Sequence, residues 1–163
     1  MARAAWLAVC ILAVVFTACT SAPRTRHKRS LFDLNQMVQK VTGRGGFDFI
    51  GYGNWCGLGG GGKPVDDLDR CCEFHDLCYD LALEEACSSE KSNGIYNRDY
   101  KWFISTSHVY CSTDSDSCSL EICKCDTDLV NCLGVYSEEY TRTNRHETSV
   151  TDLFKQLMYI TDS

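Results

Sequence analysis

The cysteines of this chain recur at one interval in two places, and that interval restricts the fold more than any other feature of the sequence. Cys71 and Cys78 lie seven residues apart, and so do Cys118, Cys125 and Cys132 in succession. Seven residues are close to two turns of α-helix, so each set falls on one helix face. The spacing predicts long helices over 66–85 and 117–133. Laid antiparallel, they pair Cys71 with Cys132 and Cys78 with Cys125, because equal intervals keep two rungs in register. Spacing favours these two rungs and leaves other pairings of the cysteines open. Twelve cysteines in 163 residues are far above ordinary usage. Such density in a short chain belongs to an oxidising compartment and to a single disulfide-rich domain, here a mainly α one.

The N-terminus agrees with that compartment. Residues 1–22 carry Arg3, an apolar run from Ala4 to Ala18 and small residues up to Ala22, the pattern of a secretory signal peptide. The run is short of the roughly 20 residues that a membrane-spanning helix needs. Residues 23–29 end in Arg26-His27-Lys28-Arg29, a basic tetrapeptide suited to propeptide cleavage before Ser30. Removing 1–29 takes away Arg3, Arg24, Arg26, Lys28 and Arg29 and no acid, so the formal charge falls from −6 to −11. A body that acidic is a poor partner for nucleic acid, which requires clustered Lys and Arg. Cys10 and Cys19 leave with the signal, and the ten that remain are even in number, as full pairing requires.

Leu31, Leu34, Met37, Val38 and Val41 have helical spacing and predict an amphipathic N-terminal helix over 31–41. The glycine-rich stretch 47–63 predicts loop. Pro64 and the acids Asp66, Asp67 and Asp69 then mark a helix start, where the macrodipole favours carboxylates. We read that acidic group as structural. His75, four residues after Cys71 and three before Cys78, sits between the rungs and looks at the second helix, where Asp126 follows Cys125 within reach. Asp76 points about a quarter turn away, on the face of Cys72, which is free to bridge Cys56 and so lay the glycine run 57–62 over Asp76. A histidine fixed by one carboxylate beside a second, metal-binding carboxylate is equipment for hydrolysis by activated water. Glycines let loop carbonyls turn inward, and a hard cation such as calcium takes such oxygens together with a carboxylate. A zinc cluster of Cys71, Cys72, His75 and Cys78 is the rival reading, disfavoured by the oxidising context.

The stretch from Tyr52-Gly53-Asn54-Trp55-Cys56-Gly57-Leu58-Gly59 to Asp69-Arg70-Cys71-Cys72, followed by Glu73-Phe74-His75-Asp76-Leu77-Cys78-Tyr79, resembles the calcium loop and active-site signature of the secreted phospholipases A2. Cys111, Cys118, Cys123, Cys125 and Cys132 are similar in spacing to that family through its second long helix, and the resemblance spans roughly 30–136. It implies two long antiparallel disulfide-linked helices, an N-terminal helix, a calcium-binding loop and a two-stranded β-wing between Tyr100 and Cys111. It also implies the pairs Cys87–Cys118 and Cys111–Cys123. His75 would deprotonate the attacking water, with Asp126 orienting its ring and Tyr79 and Tyr100 hydrogen-bonding Asp126. Calcium would be held by Asp76 and the carbonyls of Trp55, Gly57 and Gly59, with the Gly57 amide assisting the oxyanion. Leu31, Leu34, Val38 and Phe49 match the acyl-channel wall, although plain core is an equal reading, and Tyr96 matches a flap position. The activity implied is hydrolysis of the sn-2 ester of glycerophospholipids to lysophospholipid and fatty acid at a membrane or micelle surface.

The chain departs from the family's pattern at several places. Its loop is closest to the pancreatic and elapid type, yet Lys40 stands where that type has its marker cysteine. Asn54 replaces a usual cysteine and no cysteine follows Cys132, so one bridge to the tail is missing at both ends. Trp55 replaces a tyrosine, and Asp33 a glutamine that ties down the free N-terminus. In the tail, 137–163, the residues Val150, Leu153, Phe154, Leu157 and Met158 have the spacing of an amphipathic helix. The competing functional class is a non-catalytic relative that binds a receptor or matrix, but such relatives lose the histidine or the metal aspartate, and both are present here.

Overall fold

The computed structural model describes residues 29–91 and 94–146. The predicted signal peptide, the basic propeptide up to residue 28 and the amphipathic tail pattern lie outside the described residues. Four α-helices occur among the described residues: α1 (Arg29–Thr42), α2 (Gly46–Phe49), α3 (Asp67–Glu84) and α4 (Ser117–Tyr136). The glycine stretch expected to be loop throughout therefore begins with the single helical turn α2, which Asn35 of α1 holds by accepting the Gly46 N–H at 2.8 Å. None of the described helices is long and apolar enough to cross a membrane.

Both long helices begin where the sequence provides a cap. Asp66 accepts the Asp69 N–H and Asp116 accepts the Ser119 N–H, each supplying an acceptor for an otherwise orphaned first-turn donor. The helices pack against each other through the bridges Cys71–Cys132 and Cys78–Cys125, in the register that the equal intervals favoured. Cys56–Cys72, Cys87–Cys118 and Cys111–Cys123 complete five. Closing the 61-residue separation of Cys71 and Cys132 removes unfolded-chain freedom worth roughly 4 kcal/mol on a loop-entropy estimate.

Helix α1 packs across α4, and Met37 and Val38 join Leu68, Ile122, Val130 and Leu133 in one buried core. The wing pairs β1 (Trp102–Ser105) with β2 (His108–Cys111) antiparallel, and the turn residues Thr106 and Ser107 both have positive φ, as a two-residue hairpin requires. Asn131 of α4 fixes the wing by accepting the Val109 N–H at 2.8 Å and donating to the Val109 carbonyl at 3.0 Å.

The chain stays packed on the body beyond Tyr136. Tyr140 stacks on Tyr52 with ring centroids 5.0 Å apart, and the Arg44 guanidinium lies over the Tyr140 ring, 4.4 Å from its centroid. Residues 144–146 then run beside 51–53 as a strap: Gly53 N–H donates to the Asn144 carbonyl at 2.8 Å and His146 N–H to the Gly51 carbonyl at 2.7 Å.

Candidate active site

Antiparallel stapling brings His75 of α3 to Asp126 of α4, residues 51 apart in sequence, with Nε2 to Oδ1 at 2.9 Å. Asp126 is fully buried, and among the described residues its ion-pair partner is this ring. It also accepts the Tyr79 hydroxyl at 2.8 Å and the Tyr100 hydroxyl. Burial, and next the Asp126 charge, push both tyrosines well above their ordinary pKa, so each remains a protonated donor. A buried carboxylate needs such donors, since a charge left unpaired away from water is costly.

The imidazole is 13% exposed, and its Nδ1 edge looks toward Asp76, with Oδ1 at 3.9 Å. Burial opposes a charge on the ring, but hydrogen bonding to Asp126 and Asp76 and the attraction of both carboxylates outweigh it, raising His75 to about 9. Its ring also rests on Tyr79, with centroids 4.4 Å apart, and Tyr79 in turn on Tyr96.

His75 and Asp76 lie in an apolar cleft of about 230 Å³ with Leu31, Leu34, Val38 and Phe49 along its walls. The wall positions predicted from resemblance thus share one cavity, although Val38 and Phe49 are core residues too. Tyr96 lines the cleft, as do Leu58, Leu129 and Leu133, which sequence reasoning did not single out. Phe47, which also lines the cleft, is 56% exposed.

Trp55 and Gly57 line this cleft beside Asp76, and Gly59 follows in the same loop. Gly57 and Gly59 have φ of +145° and +76°, which a side chain would resist. At Gly60 an added Cβ would meet the Trp55 Cα at 2.7 Å, so the loop folds back on itself as only glycine permits. Loop carbonyl oxygens taken together with one carboxylate would suit a hard divalent cation and not zinc. No cluster of three or more His, Cys, Asp or Glu side chains that would hold a metal exists among the described residues. The four zinc candidates are therefore dispersed, with Cys71, Cys72 and Cys78 all in disulfides.

Asp69 holds this loop, a task beyond the helix-start role read from sequence. It is fully buried, and its carboxylate accepts the N–H groups of Asn54 and Trp55 at 2.8 Å each and of Val65 at 3.0 Å. The signal was available: positions 69, 72 and 76 share one helix face, and an acid on an inward face requires partners. Asn54 closes the loop by donating its amide to the Lys63 carbonyl at 2.8 Å, and Trp55 Nε1 donates to the Gly62 carbonyl at 3.1 Å.

The family profile described as Phospholipase A2 matches residues 31–145. A phospholipase A2 of Scolopendra dehaani is 37% identical over 123 residues, covering 76% of this chain and 82% of its own. A phospholipase A2 of Oryctolagus cuniculus is 35% identical over 140 residues, covering 83% and 96%. The group IID secretory phospholipase A2 of Homo sapiens is 35% identical over 116 residues, covering 71% and 76%. A match across nearly all the described body, ending at the strap residue Arg145, means that the chain belongs to the phospholipase A2 family.

Proposed function

We propose that the chain is a secreted, calcium-assisted hydrolase of the sn-2 ester of glycerophospholipids, acting at a lipid surface. The observation that carries this reading is the His75–Asp126 pair, set at 2.9 Å in an apolar cleft beside Asp76 and the glycine loop. With Nε2 engaged by Asp126, Nδ1 remains to accept a proton from water. The water oxygen attacks the sn-2 carbonyl carbon, and the Gly57 amide donates to the oxygen that becomes negative. Protonated His75 then returns its proton to the leaving glycerol oxygen, releasing lysophospholipid and fatty acid. Asp126, held in place by the hydroxyls of Tyr79 and Tyr100, steadies the ring through both transfers.

Calcium held by Asp76 and the carbonyls of Trp55, Gly57 and Gly59 would supply positive charge for the substrate phosphate and the sn-2 carbonyl. The apolar wall accepts an acyl chain, and Phe47, exposed where it lines the cleft, suits contact with lipid. Secretion is supported by five disulfides and by the leader pattern of 1–22.

The test is fatty-acid release from mixed phospholipid vesicles by the chain beginning at Ser30, with calcium, with chelator and with His75→Gln. Release from the sn-2 position that requires calcium and His75 is expected. A folded protein that binds calcium and releases nothing would transfer the chain to the non-catalytic class.

A further inference from the structure

One wall of the cleft cannot hold its own shape. Phe47 and Phe49 of α2, and Ile50 at its end, line the cleft. Isolated helices are marginal in water below about 12–15 residues, and α2 has four. Gly45 precedes it and Gly51 follows it, the latter at φ +78°, so the backbone on either side is freer than that of other residues. The form of this wall therefore depends on bonds that reach it from elsewhere.

On one side Asn35 accepts the Gly46 N–H. On the other stand two side chains from beyond α4, 92 to 98 residues later in sequence than the carbonyls they hold. The Tyr140 hydroxyl donates to the Asp48 carbonyl at 3.0 Å, and its ring meets Phe49 edge-on with centroids 5.7 Å apart. Arg145 spans the rest of the turn: Nε donates to the Ile50 carbonyl at 3.1 Å and Nη2 to the Phe47 carbonyl at 3.2 Å. Carbonyls at a helix C-terminus lack intrahelical partners and favour a cation. A guanidinium fork holds two of them at once, where an ammonium is a single point of charge.

We propose that Arg145 is a positioning residue for the acyl chain, setting the α2 wall from outside the cleft. The assignment rests on the reading of the cleft as the acyl-chain site. The strap divides its work by residue. The backbones of Asn144 and His146 bond Gly53 and Gly51 at the head of the glycine loop, while the side chain of Arg145, opposite Tyr52, turns to the wall. Loss of the guanidinium thus acts on lipid and spares the metal, because both backbone bonds to the loop remain.

Calorimetric titration of the chain beginning at Ser30 with oleate, octanoate and calcium tests this, using the unsubstituted protein, Arg145→Met and Arg145→Lys. Methionine keeps an unbranched stem and brings no donor. Oleate affinity should fall about ten-fold in Arg145→Met and by less in Arg145→Lys. Octanoate, which touches less wall, should lose less than oleate, and calcium affinity should hold. With phosphatidylcholine vesicles, Arg145→Met should need more lipid to reach half of its maximal rate. Tyr140→Phe keeps the ring and drops the bond to Asp48; it should shift oleate binding the same way, and it decides the matter if Arg145→Met does not fold. Oleate affinity equal in all the variants overturns the role of Arg145 alone. Calcium affinity that falls in step with oleate affinity also overturns it, assigning Arg145 to the loop. An unsubstituted chain that binds neither fatty acid overturns the acyl reading and the proposal with it.

Discussion

Gly53 and Asp69 occupy complementary space: a Cβ on Gly53, whose φ is +58°, would stand 2.1 Å from the Asp69 carboxyl carbon. The carboxylate enters under the loop because residue 53 has no side chain, and three loop amides close over it. Gly53→Ala should therefore both strain the backbone, by about 1–2 kcal/mol, and displace the acid. Asp69→Ala leaves donors without acceptors, each worth about 1–3 kcal/mol when buried. Thermal melting should show both variants destabilised, Asp69→Ala by several kcal/mol. Calcium affinity measured by calorimetry should fall with them, and unchanged affinity would separate Asp69 from the loop.

His75→Gln preserves the size and polarity of the side chain while removing its base. Loss of about 10²- to 10⁴-fold in fatty-acid release is expected with the melting transition retained. Near-full release by this variant would mean that another group takes the proton from water.

The raised pKa of His75, about 9, gives a signed expectation for the metal-free protein. The folded value exceeds the unfolded one of about 6.5, so the stabilisation from the charged ring is complete below the unfolded value. It declines as pH rises and is lost through about 9. Calcium beside Asp76 should lower the value by offsetting one of the two carboxylates. Nuclear magnetic resonance titration of the ring with chelator and with calcium reads both. A metal-free value near 6.5 would contradict the balance of effects described here.

Tyr79→Phe and Tyr100→Phe each remove one donor from Asp126, and the double variant leaves His75 as its side-chain partner among the bonds described. Each single change should cost about 1 kcal/mol of stability and the pair more than the sum, because the last buried acceptor sites then go unpaired. A double-mutant cycle in melting and in fatty-acid release measures the coupling.

Ending the chain at Tyr136 removes the Tyr52–Tyr140 stack and the strap bonds to Gly51 and Gly53. Arg145 goes too, whose guanidinium donates to the Ile50 carbonyl at 3.1 Å and the Phe47 carbonyl at 3.2 Å. The loop should loosen, weakening calcium binding by about ten-fold, a cost of about 1.4 kcal/mol. Equal affinity in the shortened chain would show that the loop holds its form alone.

Much of the fold was legible because cysteine spacing and helix capping are local signals. Cys71, Cys78, Cys125 and Cys132 fixed the relation of α3 and α4, and Asp66 fixed where α3 begins. The His75–Asp126 contact then followed from the register. The turn α2 was hidden because its first position is a glycine, and Asn35, eleven residues earlier, holds it from outside. The strap was hidden for a related reason: its backbone bonds to Gly51 and Gly53 leave no periodic trace in 144–146. Asp69 stood among other acids, and composition alone did not distinguish the buried one from its solvated neighbours.

The strap also sets an order in time. Synthesis runs from the N-terminus, so the glycine loop and His75 exist as chain long before Asn144 and His146 are joined to it. A product broken off before those last residues would carry every side chain assigned to the chemistry and yet lack the clasp on its loop. The clasp on the loop thus waits on residues 144–146, made long after the loop that they hold.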